Sequence, residues 1–203
     1  DILCSAAKNN NLDVIDYLLS NKIINNQIPK LSADNIANIL GNAAKNNNSD
    51  VIQFLLAIEA INNQIPKLSL NNITDILFNA AKNNNLDVIQ FLLSNKIINN
   101  QISKLSSNYI QDILCNATKN NNSDVIQLLL AIEVINNHIL KLNSDNIADI
   151  LGNAAKNPNP GIIQSLLDDD DINNQILKLN SDNIADILDN AVQNPNSDVV
   201  QSL

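Results

Sequence analysis

Apolar residues recur along this chain with helical spacing, nested inside a longer fixed period. Ile36, Ile39, Leu40, Ala43 and Ala44 fall at i, i+3, i+4, i+7 and i+8, which is one face of a helix. Ser32 stands before the run as its cap, and Asp34 places a negative charge in the first turn, at the positive end of the helix dipole. The polar run Lys45-Asn46-Asn47-Asn48 interrupts the pattern and reads as a turn. Val51, Ile52, Leu55 and Leu56 then predict a second helix, with Asp50 at its start. The next segment keeps helical spacing at Ile61, Ile65 and Leu68 but contains Pro66. It reads as an extended piece or a short third helix, followed by a tight connection. In later copies Leu140 and Leu177 replace this Pro, so a helix can continue there. Strand content is expected to be near zero.

The longer period is 37 residues. Asp-Ile-Leu, once Asn-Ile-Leu, recurs at 1, 38, 75, 112, 149 and 186, giving five full repeats and part of a sixth. A second, doubled period shows in LLSNKIINNQI at 18–28 and 92–102, and in LLAIE at 55–59 and 129–133. Ile2, Leu3, Ala6 and Leu18 keep their identity in all six copies, which marks the expected interior. One helical pair cannot bury its apolar face alone, so neighbours must stack. The expected fold is an all-α solenoid of the right-handed type, made of stacked helix-turn-helix repeats without clear β-hairpins, with residues 1–203 as a single array. The chain starts inside one repeat and ends inside another. This reads as a piece of a longer protein, with apolar end faces that favour end-to-end association.

The stretch Leu77-Phe-Asn-Ala-Ala-Lys-Asn-Asn-Asn-Leu-Asp-Val-Ile-Gln-Phe-Leu-Leu93 carries a family likeness. A Leu, a small Ala-Ala pair, a polar turn and an acidic-Val-Ile-x-x-Leu-Leu second helix resemble the core of an ankyrin repeat. The likeness spans roughly 20 of every 37 residues in all copies. The Thr-Pro-Leu-His opening is missing, the Gly of the inter-helix turn is Asn, and INNQIPKLS stands where the projecting hairpin belongs. The resemblance therefore implies stacked helical pairs more than it implies the finger loop. It also implies a protein-binding scaffold and no catalysis. A structural or spacer module within a larger protein is the alternative. A second resemblance, of residues 31–42 (LSADNIANILGN) to the opening of a TAL-effector-type repeat, implies nucleic-acid reading. Such repeats read bases through a variable pair in the inter-helix turn, and here AAKNNN is nearly constant.

Charge weighs against nucleic acid and anionic membranes as partners. The chain carries −9 from 12 basic and 21 acidic residues, and every basic residue is Lys. Phosphate-reading surfaces use a basic stripe, often with Arg forks. No apolar run is long enough to span a bilayer. Cys4 and Cys115 occupy one repeat position three repeats apart, too far to form a disulfide. Two unpaired thiols point to a reducing compartment such as the cytoplasm.

Candidate chemistry is sparse. His138, the only His, replaces a Gln and has no companion ligand, so neither a metal nor a nucleophile pair is expected. The run Asp168–Asp171 lacks the alternating ligands and turn Gly of a calcium loop and reads as a solvated helix end. Pro158, Pro160 and Gly161 suggest a distorted second helix in the fifth repeat. Asn9 and Asn11 recur in every repeat, at 46 and 48, 83 and 85, 120 and 122, 157 and 159, and 194 and 196. They read as a hydrogen-bonded ladder, because Asn both donates and accepts. The two Lys rows read as solvated edges. Recognition is left to positions that vary: Gly41, Phe78 and Cys115 at the fourth position of the repeat, and Leu70 and Tyr109 just before helix one. Phe78 and Tyr109 lead, since aromatic residues dominate interface hot spots. No cofactor is expected, and the partner is another protein.

Overall fold

The structure, a computed structural model, describes residues 2–46 and 49–203, with the Ile97 side chain left out. Asp1, Asn47 and Asn48 lie outside the described residues, and with them the Asn48 rung of the Asn row. The described chain is about three-quarters helical and contains no strand. Its fold class is an all-α repeat solenoid.

Each full repeat supplies three helices rather than two. The first repeat gives α1 (Ile2–Lys8), α2 (Leu12–Ser20) and α3 (Lys22–Asn25), and the second gives α4 (Ala33–Ala43), α5 (Ser49–Ala57) and α6 (Glu59–Asn62). The third gives α7 (Leu70–Lys82), α8 (Leu86–Ser94) and α9 (Lys96–Ile102). The fourth gives α10 (Ser107–Ala117), α11 (Ser123–Leu130) and α12 (Glu133–Ile139). The fifth gives α13 (Ser144–Lys156), α14 (Pro160–Leu167) and α15 (Asp170–Ile176), and the sixth α16 (Ser181–Val192) and α17 (Ser197–Ser202). Contacts divide the chain into two compact halves, residues 1–104 and 105–203. In the first, α1 packs on α4, α4 on α7, and α5 on α8; in the second, α10 on α13, α13 on α16, α11 on α14, and α14 on α17.

The connector is helical in every full repeat, and proline decides how. In α9, α12 and α15 the helix runs seven residues. Near its end Ser103 N donates to Asn99 O, Leu140 N to Asn136 O, and Leu177 N to Asn173 O. Pro29 and Pro66 occupy the same position and have no N–H to give. There the segment splits into a four-residue helix, α3 or α6, and a separate 3-10 turn, Ile28–Lys30 or Ile65–Lys67.

The inter-helix turn also follows its side chains. Asn10 and Asn84 have φ of 54° and 58°. That left-handed conformation favours Gly, and Asn tolerates it best among the other residues. Pro158 and Pro195 stand at the equivalent position of later repeats and cannot adopt it, so Asn157 is extended instead, with φ −75° and ψ 130°. The distortion expected around Pro160 is absent. Pro160 sits at the first position of α14, where no N–H is required, and Asn159 caps the helix by accepting from Gly161 N at 3.0 Å.

The core is the conserved aliphatic set. Leu3, Leu40, Leu77, Leu114 and Leu151 are buried, and so are the Ala residues that follow them at the next turn, Ala6 through Ala154. Their sixth-repeat counterpart Leu188 is half exposed, as is Leu203, and Ile2 of α1 is largely exposed. Interior position and repeat position therefore coincide except on the outer faces of the first and last repeats.

The Asp168–Asp171 run joins α14 to α15. Asp168 caps the end of α14, and its carboxylate accepts from Gln164 at 2.7 Å; Asp169 caps the start of α15 by accepting from Ile172 N at 2.9 Å. Burial raises the Asp169 pKa, the backbone bond from Ile172 opposes it, and the Asp171 and Asp170 charges raise it further. A raised carboxyl pKa means the fold disfavours the charged form. The cost is present at neutral pH and fades as pH falls through the folded pKa towards the unfolded value. Asp169→Asn keeps an equally good cap. It should raise the thermal midpoint at pH 7 by the equivalent of less than about 1 kcal/mol. In melts repeated towards pH 3.8 the gain should shrink to nothing.

Candidate functional site

The first helices of successive repeats lie side by side within each half, and their outward residues form grooves. A polar one lies between α13 and α16, with a volume of about 600 Å³. Asp145, Asp149, Asp186 and Asp189 line it, with Lys156 as the one cation and Asn153, Asn183 and Asn190 as amides. Asn183 Nδ2 donates to the Asp145 carboxylate at 3.1 Å. Gln111 on α10 donates to the Asp149 carboxylate at 2.9 Å and accepts from Asn146 Nδ2 at 2.6 Å. These amide bonds fix the carboxylates without neutralising them. The corresponding groove between α4 and α7 is smaller, about 160 Å³, and holds one Asp75 against one Lys45 among Asn side chains.

This difference is general. Residues 1–104 carry eight Lys against eight acids, whereas residues 105–203 carry four Lys against thirteen acids. The whole of the −9 charge therefore lies in the second half. The asymmetry was legible in the sequence but is hidden by a chain-wide sum; counting by repeat exposes it.

The variable positions divide once they are placed. Gly41 and Cys115 are buried, because the fourth position of a repeat lies under the Asn one repeat and one residue later. Asn42 Nδ2 donates to Cys4 Sγ at 3.0 Å, Asn153 bonds Cys115, and Asn79 Nδ2 lies 3.9 Å from where a Cβ on Gly41 would be. At Gly41 and Cys115 the variation falls within packing between repeats, whereas Asp189, at the same repeat position, is exposed and lines the acidic groove. Burial pushes the Cys115 thiol up to about 11, the Asp149 and Asp112 charges add to this, and the Asn153 bond and Lys119 oppose it. The thiol is protonated at neutral pH and is a poor nucleophile. Phe78 and Leu70, both on α7, are half-buried. Tyr109 is 37% exposed.

Tyr109 occupies a position whose role the sequence did not disclose. In four other repeats the third helical residue is Asn35, Asn72, Asn146 or Asn183, and each closes a capping box with Ser32, Ser69, Asn143 or Asn180. Leu70 and Tyr109 are therefore inside helix one rather than ahead of it. At α10 Tyr109 replaces the Asn, and Ser106 makes no side-chain cap bond.

The Asn rows form a ladder in the second, fifth and sixth repeats. Asn46 Nδ2 donates to the Ala7 and Lys8 carbonyls at 2.8 and 3.2 Å, Asn157 Nδ2 to Thr118 and Asn120 at 2.9 and 2.7 Å, and Asn194 Nδ2 to Ala155 and Asn157 at 2.7 and 2.8 Å. In the third repeat Asn85 takes over and donates to the Asn46 carbonyl. The second member of each described pair caps the second helix, as Asn11 does for Val14 and Asn196 for Asp198. Both Lys rows are exposed. His138 is buried in α12 at a bridging position: its counterparts Gln101 and Gln175 donate back to the Pro66 and Leu140 carbonyls of the preceding connector.

A family profile described as ankyrin repeats in three copies matches this array of stacked helical pairs. It matches residues 3–103 and again 40–139. The chain belongs to the ankyrin-repeat family. Ankyrin repeats are in general protein–protein interaction modules and typically not enzymes. No curated protein and no solved structure matches the chain. This ankyrin array lengthens the repeat by putting a helix where the finger loop projects, and residues 140–203 keep the 37-residue period beyond the profile match. Among the described residues there is no cluster of three or more His, Cys, Asp or Glu arranged to hold a metal, and no helix is long and apolar enough to cross a membrane.

Proposed function

We propose that this chain is a protein-binding scaffold, without catalysis of its own, whose groove between α13 and α16 takes a cationic segment of the partner. The observation that carries the reading is the lining of that groove: four Asp against one Lys, with Asp145 and Asp149 held by amide bonds from Asn183 and Gln111. Opposite charge across an interface steers encounter and selects partners. The constant 37-residue register supports reading residues 1–203 as one array. Tyr109 is the aromatic anchor we assign, on the helix that packs beside α13. Its position supports this, since an exposed Tyr stands where Asn completes the cap in four other repeats. Phe78 and Leu70 are secondary contacts, and Gly41 and Cys115 act through the packing beneath them.

A Lys-rich synthetic peptide is the probe, titrated by fluorescence anisotropy at low and high salt. It should bind the parent chain, and Asp149→Asn with Asp186→Asn should weaken binding about tenfold, with the difference shrinking as salt rises. Tyr109→Asn should raise the unfolding midpoint by the equivalent of about 0.5–2 kcal/mol, by restoring the cap, while weakening the same binding. Equal affinity of the parent and the doubly neutralised chain would remove the groove as the site. Absence of binding at any salt would favour a spacer role.

A further inference from the structure

We infer that the outward face of α2, α5 and α8 is a second recognition surface, and that it takes an extended segment of a partner bearing a cation at every third residue. Three of the chain's five aromatic residues, Tyr17, Phe54 and Phe91, fall at one repeat position. They stand on the second helices of three successive repeats, α2, α5 and α8. One turn earlier on the same helices stand Asp13, Asp50 and Asp87. Residues four apart share a helix face, so each helix presents a carboxylate beside an aromatic ring. Phe54 and Phe91 are half-buried, Asp50 and Asp87 are exposed, and α5 packs on α8. The Ser49 hydroxyl donates to the Asp87 carboxylate at 3.0 Å across the α5–α8 seam, which holds that carboxylate with its charge intact.

Charge and rings together name the chemistry of the occupant. Residues 1–104 carry eight Lys against eight acids, but this face is not balanced. The helices α2, α5 and α8 hold four of those acids, Asp13, Asp16, Asp50 and Asp87, and none of the Lys. A cation is drawn to the face of an aromatic ring as well as to a carboxylate, and Arg can stack on the one while bonding the other. An anionic segment would be repelled, and a purely apolar one would strand the carboxylates. Spacing then gives the period of the ligand. Packed helices lie about 8–10 Å apart, so the Asp–aromatic pairs of α5 and α8 recur at about that distance. Three residues of polyproline II advance about 9 Å and return to the same side of the chain. The pairing is confined to the first three repeats: Leu128 and Ser165 stand at the aromatic position of the next two, and Gly161 replaces the Asp beside Ser165.

The test is fluorescence anisotropy on the full chain carrying Asp149→Asn with Asp186→Asn, so that the α13–α16 groove contributes little. Three peptides of equal length are the probes. One has Arg at every third position among Pro and Ala, one has the same residues with the Arg clustered at one end, and one has Gln in place of each Arg. The first should bind about tenfold more tightly than the second, and the third should not bind. Phe54→Leu with Phe91→Leu should weaken the first peptide about tenfold, because Leu keeps an apolar side chain and removes the ring face. Leu already occupies this position at Leu128, and the far-UV spectrum checks the fold. Phe54→Tyr with Phe91→Tyr should retain the affinity. Asp50→Asn with Asp87→Asn should weaken it, with the difference shrinking as salt rises. Equal binding of the Gln peptide would make the strip a plain apolar surface and overturn the proposal. Equal binding of the clustered peptide overturns the period, and undiminished binding by the Leu variant overturns the role of the rings.

Discussion

Leu40→Ala should destabilise the chain by about 2–5 kcal/mol, whereas Leu188→Ala, at the same repeat position, should cost about 1 kcal/mol or less. Leu40 is fully buried and lines an apolar pocket with Ile65, Leu68, Ile73, Ile76, Leu77, Leu92 and Ile98. Its neighbours come from α7, α8 and two connectors, each held by its own backbone bonds, so they cannot collapse fully into the space a missing isobutyl group leaves. The transfer term and the cavity term therefore add. Leu188 is half exposed, and its truncation removes little buried surface. Urea titrations followed by circular dichroism measure both. Similar losses at the two positions would mean that sequence identity within the repeat, rather than burial, sets the energetics.

The second large effect is polar. Asn157→Ala should cost about 2–4 kcal/mol, far more than the removal of one exposed amide. The side chain is buried; its Nδ2 donates to the Thr118 and Asn120 carbonyls, and its Oδ1 accepts from Asn159 N at 2.9 Å. Truncation strands two carbonyls and one N–H in a site where water has little access, and an unmet buried group costs its full desolvation penalty. Asn83→Ala is the internal control. Asn83 occupies the same repeat position, but its Nδ2 donates to Asn79 O one turn earlier in its own helix, at 2.8 Å, and its loss should cost about 1 kcal/mol or less. Asn157→Asp should be at least as damaging as Asn157→Ala, since it faces two carbonyls with a carboxylate. If Asn157→Asp melted like the parent, the ladder would carry no energetic weight.

Read in sequence order, the chain determines much of its architecture by itself. Its 37-residue period, the i, i+3, i+4 pattern around Leu40 and Ala43, the Ser and Asn caps and the absence of strands among the described residues all follow from local residue choice, because helix periodicity and capping are short-range. The Asn ladder was legible for the same reason: one residue type at constant spacing must meet itself between stacked repeats. Pro29 and Pro66 even foretell where the connector helix breaks, since the missing N–H is a local fact. Three features required the tertiary structure. The fourth position looked like surface because it varies, yet Gly41 and Cys115 are buried, and only stacking reveals that Asn79 and Asn153 lie over them. Tyr109 looked like a residue ahead of helix one, and only its placement at the third helical position shows that it displaces a capping Asn. The acidic groove brings Asp145 and Asp149 of one helix together with Asp186 and Asp189 of the next, residues some 37 apart that no local pattern unites. Sequence fixes what is repeated along a helix; packing between helices decides which repeated positions are covered and which are left to meet another molecule.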